Sequence, residues 1–156
     1  MTTHETTEQT KKIADLWQEL GKEVGLDGLQ LDENGACTLV FDGRVPVNSA
    51  IMEDAVVLHA SLGVAPGARR EAFLEMLLAA NLFWLESDGA TLSLEPISGE
   101  VLLARKVDSQ ELTVDGLREA LDGFANAVDY WRERVADFGR SAEAPEDGLL
   151  SSNLRA

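Results

Sequence analysis

The middle of the chain decides its fold. Glu75–Trp84 reads EMLLAANLFW, Gly89–Leu94 reads GATLSL, and Gly99–Ala104 reads GEVLLA. The first segment carries apolar residues around most of a helical cylinder, which predicts a helix over about residues 68–82. The other two segments have the composition of strands and are separated by Glu95–Gly99, which contains Pro and Gly. They predict a β-hairpin directly after the helix.

Two further helices are predicted, one on each side of this centre. The first covers about residues 7–24 and ends at Gly25, with apolar residues at helical spacing: Ile13, Leu16, Trp17, Leu20 and Val24. The other begins at Thr113, a favourable N-cap, and ends at Gly139. Its apolar residues are spaced alternately by four and three: Leu117, Leu121, Phe124, Val128, Trp131, Val135 and Phe138.

Between the first two helices the apolar residues have a period of two. Leu29–Leu31 and Ala36–Phe41 are predicted to form a hairpin around an Asn-Gly turn. Val45–Val47 is predicted to be a short edge segment, because Pro46 cannot donate a hydrogen bond to a sheet. Ala55–Leu62 is predicted to be a long strand.

The predicted order is therefore α-β-β-β-α-β-β-α. Hairpins without βαβ alternation indicate an α+β fold, a twisted antiparallel sheet with helices packed on it. We expect a single domain over residues 1–139. Residues 140–156 are acidic and poor in apolar side chains, which predicts a disordered tail.

The charge balance limits the partners of this protein. There are 13 Lys and Arg against 28 Asp and Glu, giving a formal net charge of −15. Such a charge repels nucleic acid and anionic lipid, so we expect neither as a partner. No apolar run has the ~18 residues of a membrane helix, and the N-terminus lacks the pattern of a secretory signal. A single cysteine fits a reducing compartment, and we expect the protein to be cytoplasmic.

The residues needed for catalysis are missing from the sequence. His4 and His59 do not form a zinc-binding pair, and Cys37 has no neighbouring cation to activate its thiol. No Gly-x-x-x-x-Gly-Lys phosphate loop occurs. We therefore expect no catalytic residue, no metal site and no cofactor, and a protein that works by binding another protein.

The second helix predicts a homodimer. Its apolar surface is too wide to be buried on one side only, and in a small domain a second copy is the expected cover. The predicted dimer interface contains Leu74, Leu78, Phe83 and Trp84.

The central segments quoted above resemble the class I chaperones of type III secretion, the CesT/Tir-chaperone family. The first helix, the run Leu29–Cys37 and the closing helix near Trp131 also match, so the likeness covers about residues 8–138. Two parts depart from the family pattern and leave client specificity open. Val45–Asp54 is more polar and irregular than a plain strand, and the acidic tail lies beyond the pattern.

The resemblance implies a homodimeric cytoplasmic chaperone of a Gram-negative bacterium. Such proteins bind the N-terminal segment of a secreted effector in extended form, keep it secretion-competent and deliver it to the secretion apparatus, without hydrolysing ATP. We expect the effector to bind apolar pockets and a strand edge, around Trp17, Leu31, Leu39, Phe41 and Val57.

Two other functions are compatible with this sequence. One is a YbjN-like or related regulatory module that binds a cytosolic protein. The other is a small hydrolase, which the missing nucleophile–base pair disfavours. The neighbouring genes distinguish the chaperone from the regulatory module, because chaperones of this kind are usually encoded beside their effector.

Overall fold

A computed structural model describes residues 3–26, 29–52 and 55–143 of the chain. Within these residues the order is α1 (Thr3–Glu23), β1 (Ala36–Phe41), β2 (Val45–Met52), β3 (Ala55–Val64), α2 (Arg70–Ala80), a 3₁₀ turn (Leu82–Trp84), β4 (Thr91–Leu94), β5 (Glu100–Asp108) and α3 (Val114–Glu143). This order confirms the predicted α+β fold.

The five strands form one sheet in the order β1-β2-β3-β5-β4. Every neighbouring pair is antiparallel. The long β3 lies at the centre, where Leu58 is opposite Ser49 of β2 on one side and Arg105 of β5 on the other. The chain reaches β4 through α2, so β1 and β4 become the two edges of the sheet.

Among the residues that the structure describes, helices cover only one face of the sheet. On β3 the residues alternate between fully buried and half-buried, because successive side chains point to opposite faces. The buried set belongs to the covered face and contributes to the main core: Val56, Leu58, Ala60 and Leu62. Val57 and His59 belong to the opposite face and are only half-buried.

The 30-residue helix α3 provides most of the cover. Its predicted apolar stripe is buried from Leu117 to Val135. Trp131 is fully buried, and its Nε1 donates a hydrogen bond to the carbonyl oxygen of Glu86 at 3.1 Å. Near the end of α3, Phe138 meets Phe73 of α2 edge to face, with ring centroids 5.1 Å apart. Helix α3 therefore packs against the sheet and against both other helices.

The predicted strand at Leu29–Leu31 is wrong. These residues form an irregular segment that leads into a closed turn. The carboxylate of Asp32 accepts hydrogen bonds from the backbone N–H groups of Asn34 and Ala36, at 2.8 and 2.9 Å. An aspartate that binds its own backbone in this way favours a turn over strand pairing.

The predicted edge segment at Val45–Val47 is also wrong. It is the beginning of an eight-residue strand, β2, which lies between β1 and β3. Pairing of β2 with β3 begins only at Asn48, so the missing N–H of Pro46 removes no hydrogen bond on that side.

Helix α3 continues past Gly139 to Glu143. Gly139 does not adopt the left-handed conformation that ends many helices. The Ser141 hydroxyl donates to the carbonyl oxygen of Phe138 at 3.0 Å, within the last turn. Residues 140–143 of the predicted tail are therefore helical, and the rest of that tail, residues 144–156, lies outside the described residues.

Truncating Trp131 tests the role of α3. Trp131→Ala should lower the free energy of unfolding by about 3–5 kcal/mol, because it removes a fully buried indole and leaves a cavity. Urea unfolding followed by circular dichroism measures the change. Ile97→Ala is the matched control: this side chain is 94% exposed, and the expected change is under about 0.5 kcal/mol. Equal effects of the two substitutions would contradict the assignment of α3 as the main cover.

Candidate protein-binding surfaces

An apolar cavity of about 230 Å³ lies where the end of α1, strand β1 and the first half of α3 meet. Its apolar lining consists of Leu20, Val24, Leu26, Leu29, Leu39, Val40, Phe41 and Leu121, and its polar lining of Asp42, Arg118 and Asp122. We call this cavity the α1–β1 cleft. Three of the apolar residues are strongly exposed, Val24 at 48%, Leu26 at 49% and Val40 at 59%. The apolar surface of the cleft is therefore exposed to solvent.

Two glycines shape the wall of this cleft. Gly25 has φ of 73°, which turns the chain at the end of α1. Leu26 then folds back, and its N–H donates to the carbonyl oxygen of Gly21 at 2.7 Å. A Cβ atom at Gly21 would lie 2.8 Å from the Cβ of Leu29, so only glycine allows this close approach. The result is that Leu26 and Leu29 lie beside the helix and extend the cleft.

Strand β1 brings an open sheet edge to the cleft. It pairs with β2 on one side and with no other strand among the described residues. The backbone N–H and C=O groups on an open edge can pair with another extended chain. The α1–β1 cleft thus combines pockets for side chains with a site for main-chain hydrogen bonds.

The structure brings together two of the five residues predicted to bind an effector. Leu39 and Phe41 line the cleft. Leu31 is half-buried and packs against the core, Trp17 is fully buried within the core, and neither lines the cleft. Val57 lies on the uncovered sheet face and is not part of the cleft.

Sequence reasoning missed six apolar residues of this cleft: Leu20, Val24, Leu26, Leu29, Val40 and Leu121. In the sequence, Val24 and Leu121 belong to apolar helix stripes, and that pattern predicts only that they face the core. A usable signal was Leu26, an apolar residue directly after a helix-ending glycine. Such a residue commonly packs back on the last helical turn.

A second exposed apolar surface lies at the end of α2. Its members are Leu78, Leu82, Phe83, Trp84 and Leu85, and we call them the α2 patch. Leu78 is 71% exposed and Phe83 is 73% exposed. Three of the four residues predicted for a dimer interface belong to this patch, and the fourth, Leu74, is half-buried beside the core. A cluster of large exposed apolar side chains is typical of an interaction surface.

The backbone of the α2 patch is held in an unfavourable conformation. Phe83 and Trp84 have φ of 55° and 54°, in the left-handed region that bulky residues avoid. Asn81 anchors the segment to β4: its amide nitrogen donates to the carbonyl oxygen of Leu92 at 2.9 Å, and its amide oxygen accepts from the N–H of Leu92 at 2.8 Å. The indole Nε1 of Trp84 also donates to the Thr91 hydroxyl at 3.2 Å. These bonds hold both aromatic residues on the outside of the protein.

The described residues contain no group of three or more His, Cys, Asp or Glu side chains placed to bind a metal ion. Cys37 is half-buried, and its pKa is raised to about 11, first by burial of the thiol and second by the negative charge of Asp32. Its thiol is therefore protonated at neutral pH, which makes it a poor nucleophile. Among the described helices, none is both long enough and apolar enough to span a membrane.

The fold and its surfaces define a class: an α+β domain with one covered sheet face, an apolar cleft at an open strand edge and an apolar patch after its second helix. The chain belongs to the Tir chaperone protein (CesT) family, whose model matches residues 15–132. This confirms the family resemblance found in the sequence.

One relative and several solved structures are similar to this chain. ExsC of Pseudomonas aeruginosa, named a transcriptional anti-antiactivator, is 26% identical over 137 residues, which cover 86% of this chain and 94% of ExsC. A chain of the ExsC–ExsE complex has a TM-score of 0.69 at 23% identity, covering 81% of this chain and 95% of that one. A chain of the HopA1–SchA chaperone–effector complex has a TM-score of 0.68 at 20% identity, covering 81% and 97%. These structures share the fold of this protein.

The reactivity of Cys37 tests the buried environment beside β1. Alkylation by iodoacetamide at pH 8 should be on the order of a hundredfold slower than for an ordinary cysteine, because the raised pKa leaves little thiolate. The same protein in concentrated urea is the control and should react at the ordinary rate. Rapid alkylation of the folded protein would contradict the described burial.

Proposed function

We propose that this protein is a cytoplasmic chaperone that binds the N-terminal segment of a type III secreted effector and keeps it secretion-competent. The observation that carries the proposal is the α1–β1 cleft beside the open edge of β1, in a chain of the CesT family. The neighbouring folds include a chaperone–effector complex, which supports the same function.

The cleft suits a client held in extended form. An extended segment that pairs with β1 gains main-chain hydrogen bonds, which give affinity without demanding a sequence. Side chains that enter the cleft add selectivity, since burying one large apolar side chain is worth about 1.5–3 kcal/mol. A client segment bound in this way cannot fold or aggregate through the same residues.

The proposed chaperone is not an enzyme and uses no ATP, metal or cofactor. Ordering a flexible client costs conformational entropy, so the affinity stays limited even when the contact area is large. Clients can then load spontaneously, and components of the secretion apparatus supply the work that removes them. The protonated state of Cys37 supports a role without covalent catalysis.

We further propose that two copies associate through the α2 patch. Its side chains are large and exposed, and burying them against a second copy would remove apolar surface from water. The patch and the α1–β1 cleft share no lining residue. Each copy in a dimer would therefore keep its own cleft for the client.

A regulatory protein-binding module is the second candidate function. The observation that favours it is the name of the relative ExsC, a transcriptional anti-antiactivator. Purification of the tagged protein from its native host, followed by mass spectrometry of bound proteins, distinguishes the two. A secreted effector as the main partner supports the chaperone, whereas a transcriptional regulator supports the module.

A substitution in the cleft tests the client site. Phe41→Asp should weaken binding of the co-purified effector at least about tenfold, because it places a charge where an apolar side chain is expected to bind. Isothermal titration calorimetry with the full-length chain measures the affinity. Leu26→Asp, at a half-exposed position of the same cleft, should act alike without a large loss of stability.

Met52→Asp is the matched control for charge, because Met52 is 60% exposed on β2 and does not line the cleft. Its affinity for the effector should equal that of the unmodified protein. Unchanged binding by both cleft variants would place the client elsewhere on the protein.

A substitution in the α2 patch tests the homodimer. Leu78→Glu should convert the dimer to a monomer at micromolar concentration, because a buried unpaired carboxylate costs more than one apolar contact provides. Light scattering coupled to gel filtration measures the mass. Ile97→Glu is the control, an equally drastic change at a side chain that is 94% exposed and outside the patch. A monomeric unmodified protein would refute the proposed dimer.

A further inference from the structure

We propose that the α1–β1 cleft selects a client segment in which one large apolar side chain has Lys or Arg two positions before it and two positions after it. The inference rests on the proposed function and concerns which client sequences this particular cleft accepts. Its basis is the combination of an apolar cavity with carboxylates on its rim.

The size of the cleft fits a single large side chain. Its volume is about 230 Å³, and an apolar cavity of ~150 Å³ is already large enough to hold benzene. Its floor is formed by the buried side chains of Leu20, Leu39 and Leu121, so an inserted leucine, methionine or phenylalanine meets only apolar atoms there. A charged or short polar side chain would lose its hydration without gaining a partner.

The rim of the cleft carries an excess of negative charge. Asp42 directly follows β1, and Asp122 lies on α3; both are exposed, and neither forms an ion pair with any of the described residues. The one cation in the lining, Arg118, is already held by two carboxylates. It forms ion pairs with Glu23 and with Asp115, the latter at 3.1 Å.

Among the described lining residues, this arrangement leaves two carboxylates available to a client and no available cation. In a chain with a net charge of −15, many carboxylates are unpaired, but these two border an apolar cavity next to an open strand edge. In a client strand that pairs with β1, successive side chains point to opposite faces, so the residues two positions before and two positions after the inserted side chain face the rim. Lysine or arginine at those positions would pair with Asp42 and Asp122, whereas glutamate would be repelled.

Three labelled peptides of about nine residues test this selection by fluorescence anisotropy with the full-length protein. All have a central leucine and threonine or valine elsewhere, and they differ only at the positions two before and two after the leucine, which carry lysine, glutamine or glutamate. A fourth peptide replaces the leucine of the lysine version by serine. The protein variants are Asp42→Asn, Asp122→Asn and the two combined, which remove charge with little change of shape.

The lysine peptide should bind roughly fivefold to twentyfold more tightly than the glutamine peptide, as expected for two partly exposed ion pairs, and the glutamate peptide should bind most weakly. The advantage of lysine should disappear in the combined variant and in 1 M salt, where exposed charges are screened. The serine peptide should lose binding even with its lysines. Glu133→Gln, a neutralised exposed carboxylate elsewhere on α3, should leave the advantage unchanged.

Equal affinity for the lysine, glutamine and glutamate peptides would overturn the inference, as would a lysine advantage that survives in the combined variant. Absence of binding by all four peptides would overturn it too. None of these results refutes the proposed function, which fails if the main co-purifying partner is not a secreted effector.

Discussion

The structure depends on one constraint: a single helix must cover most of one face of a five-stranded antiparallel sheet. Helix α3 does this with a continuous apolar stripe from Leu117 to Val135, and each large side chain in it contributes about 1.5–3 kcal/mol. Helices α1 and α2 complete the cover by packing beside α3 and the sheet, with Ile13, Trp17 and Phe73 fully buried. The ends of these two helices then extend past the core.

Both candidate surfaces arise where this cover ends. At the end of α1, apolar residues continue beyond the last helical turn and form the α1–β1 cleft with the edge strand. At the end of α2, the chain turns through two left-handed aromatic residues whose side chains stay in water. Such a conformation costs about 1–3 kcal/mol per residue and persists only when surrounding bonds hold it, as Asn81 does here. The conformation that leaves this apolar surface exposed therefore lowers the stability of the fold.

The parts of this fold that follow from periodicity could be predicted, and the parts that follow from local hydrogen bonds could not. The stripe of α3 and the hairpin after α2 are encoded in spacing alone. The turn at Asp32 depends on a side chain that binds its own backbone, and the tolerance of Pro46 within β2 depends on the pairing of β2 with β3 beginning only at Asn48. In the cleft, Leu39 and Phe41 were predictable as strand residues, whereas Leu26 depends on the close approach allowed by Gly21.

The acidity of the chain and its exposed apolar surface are linked by a physical requirement. A chaperone must keep a cleft accessible, yet accessible clefts on a concentrated protein favour association with other copies and aggregation. A net charge of −15 opposes such encounters by mutual repulsion, and carboxylates at the rim act where the repulsion is most effective. The same carboxylates attract a basic client instead of repelling it. Negative charge at the rim therefore opposes association of the empty cleft with another copy of the chain. It does not oppose binding of a client segment that carries the opposite charge.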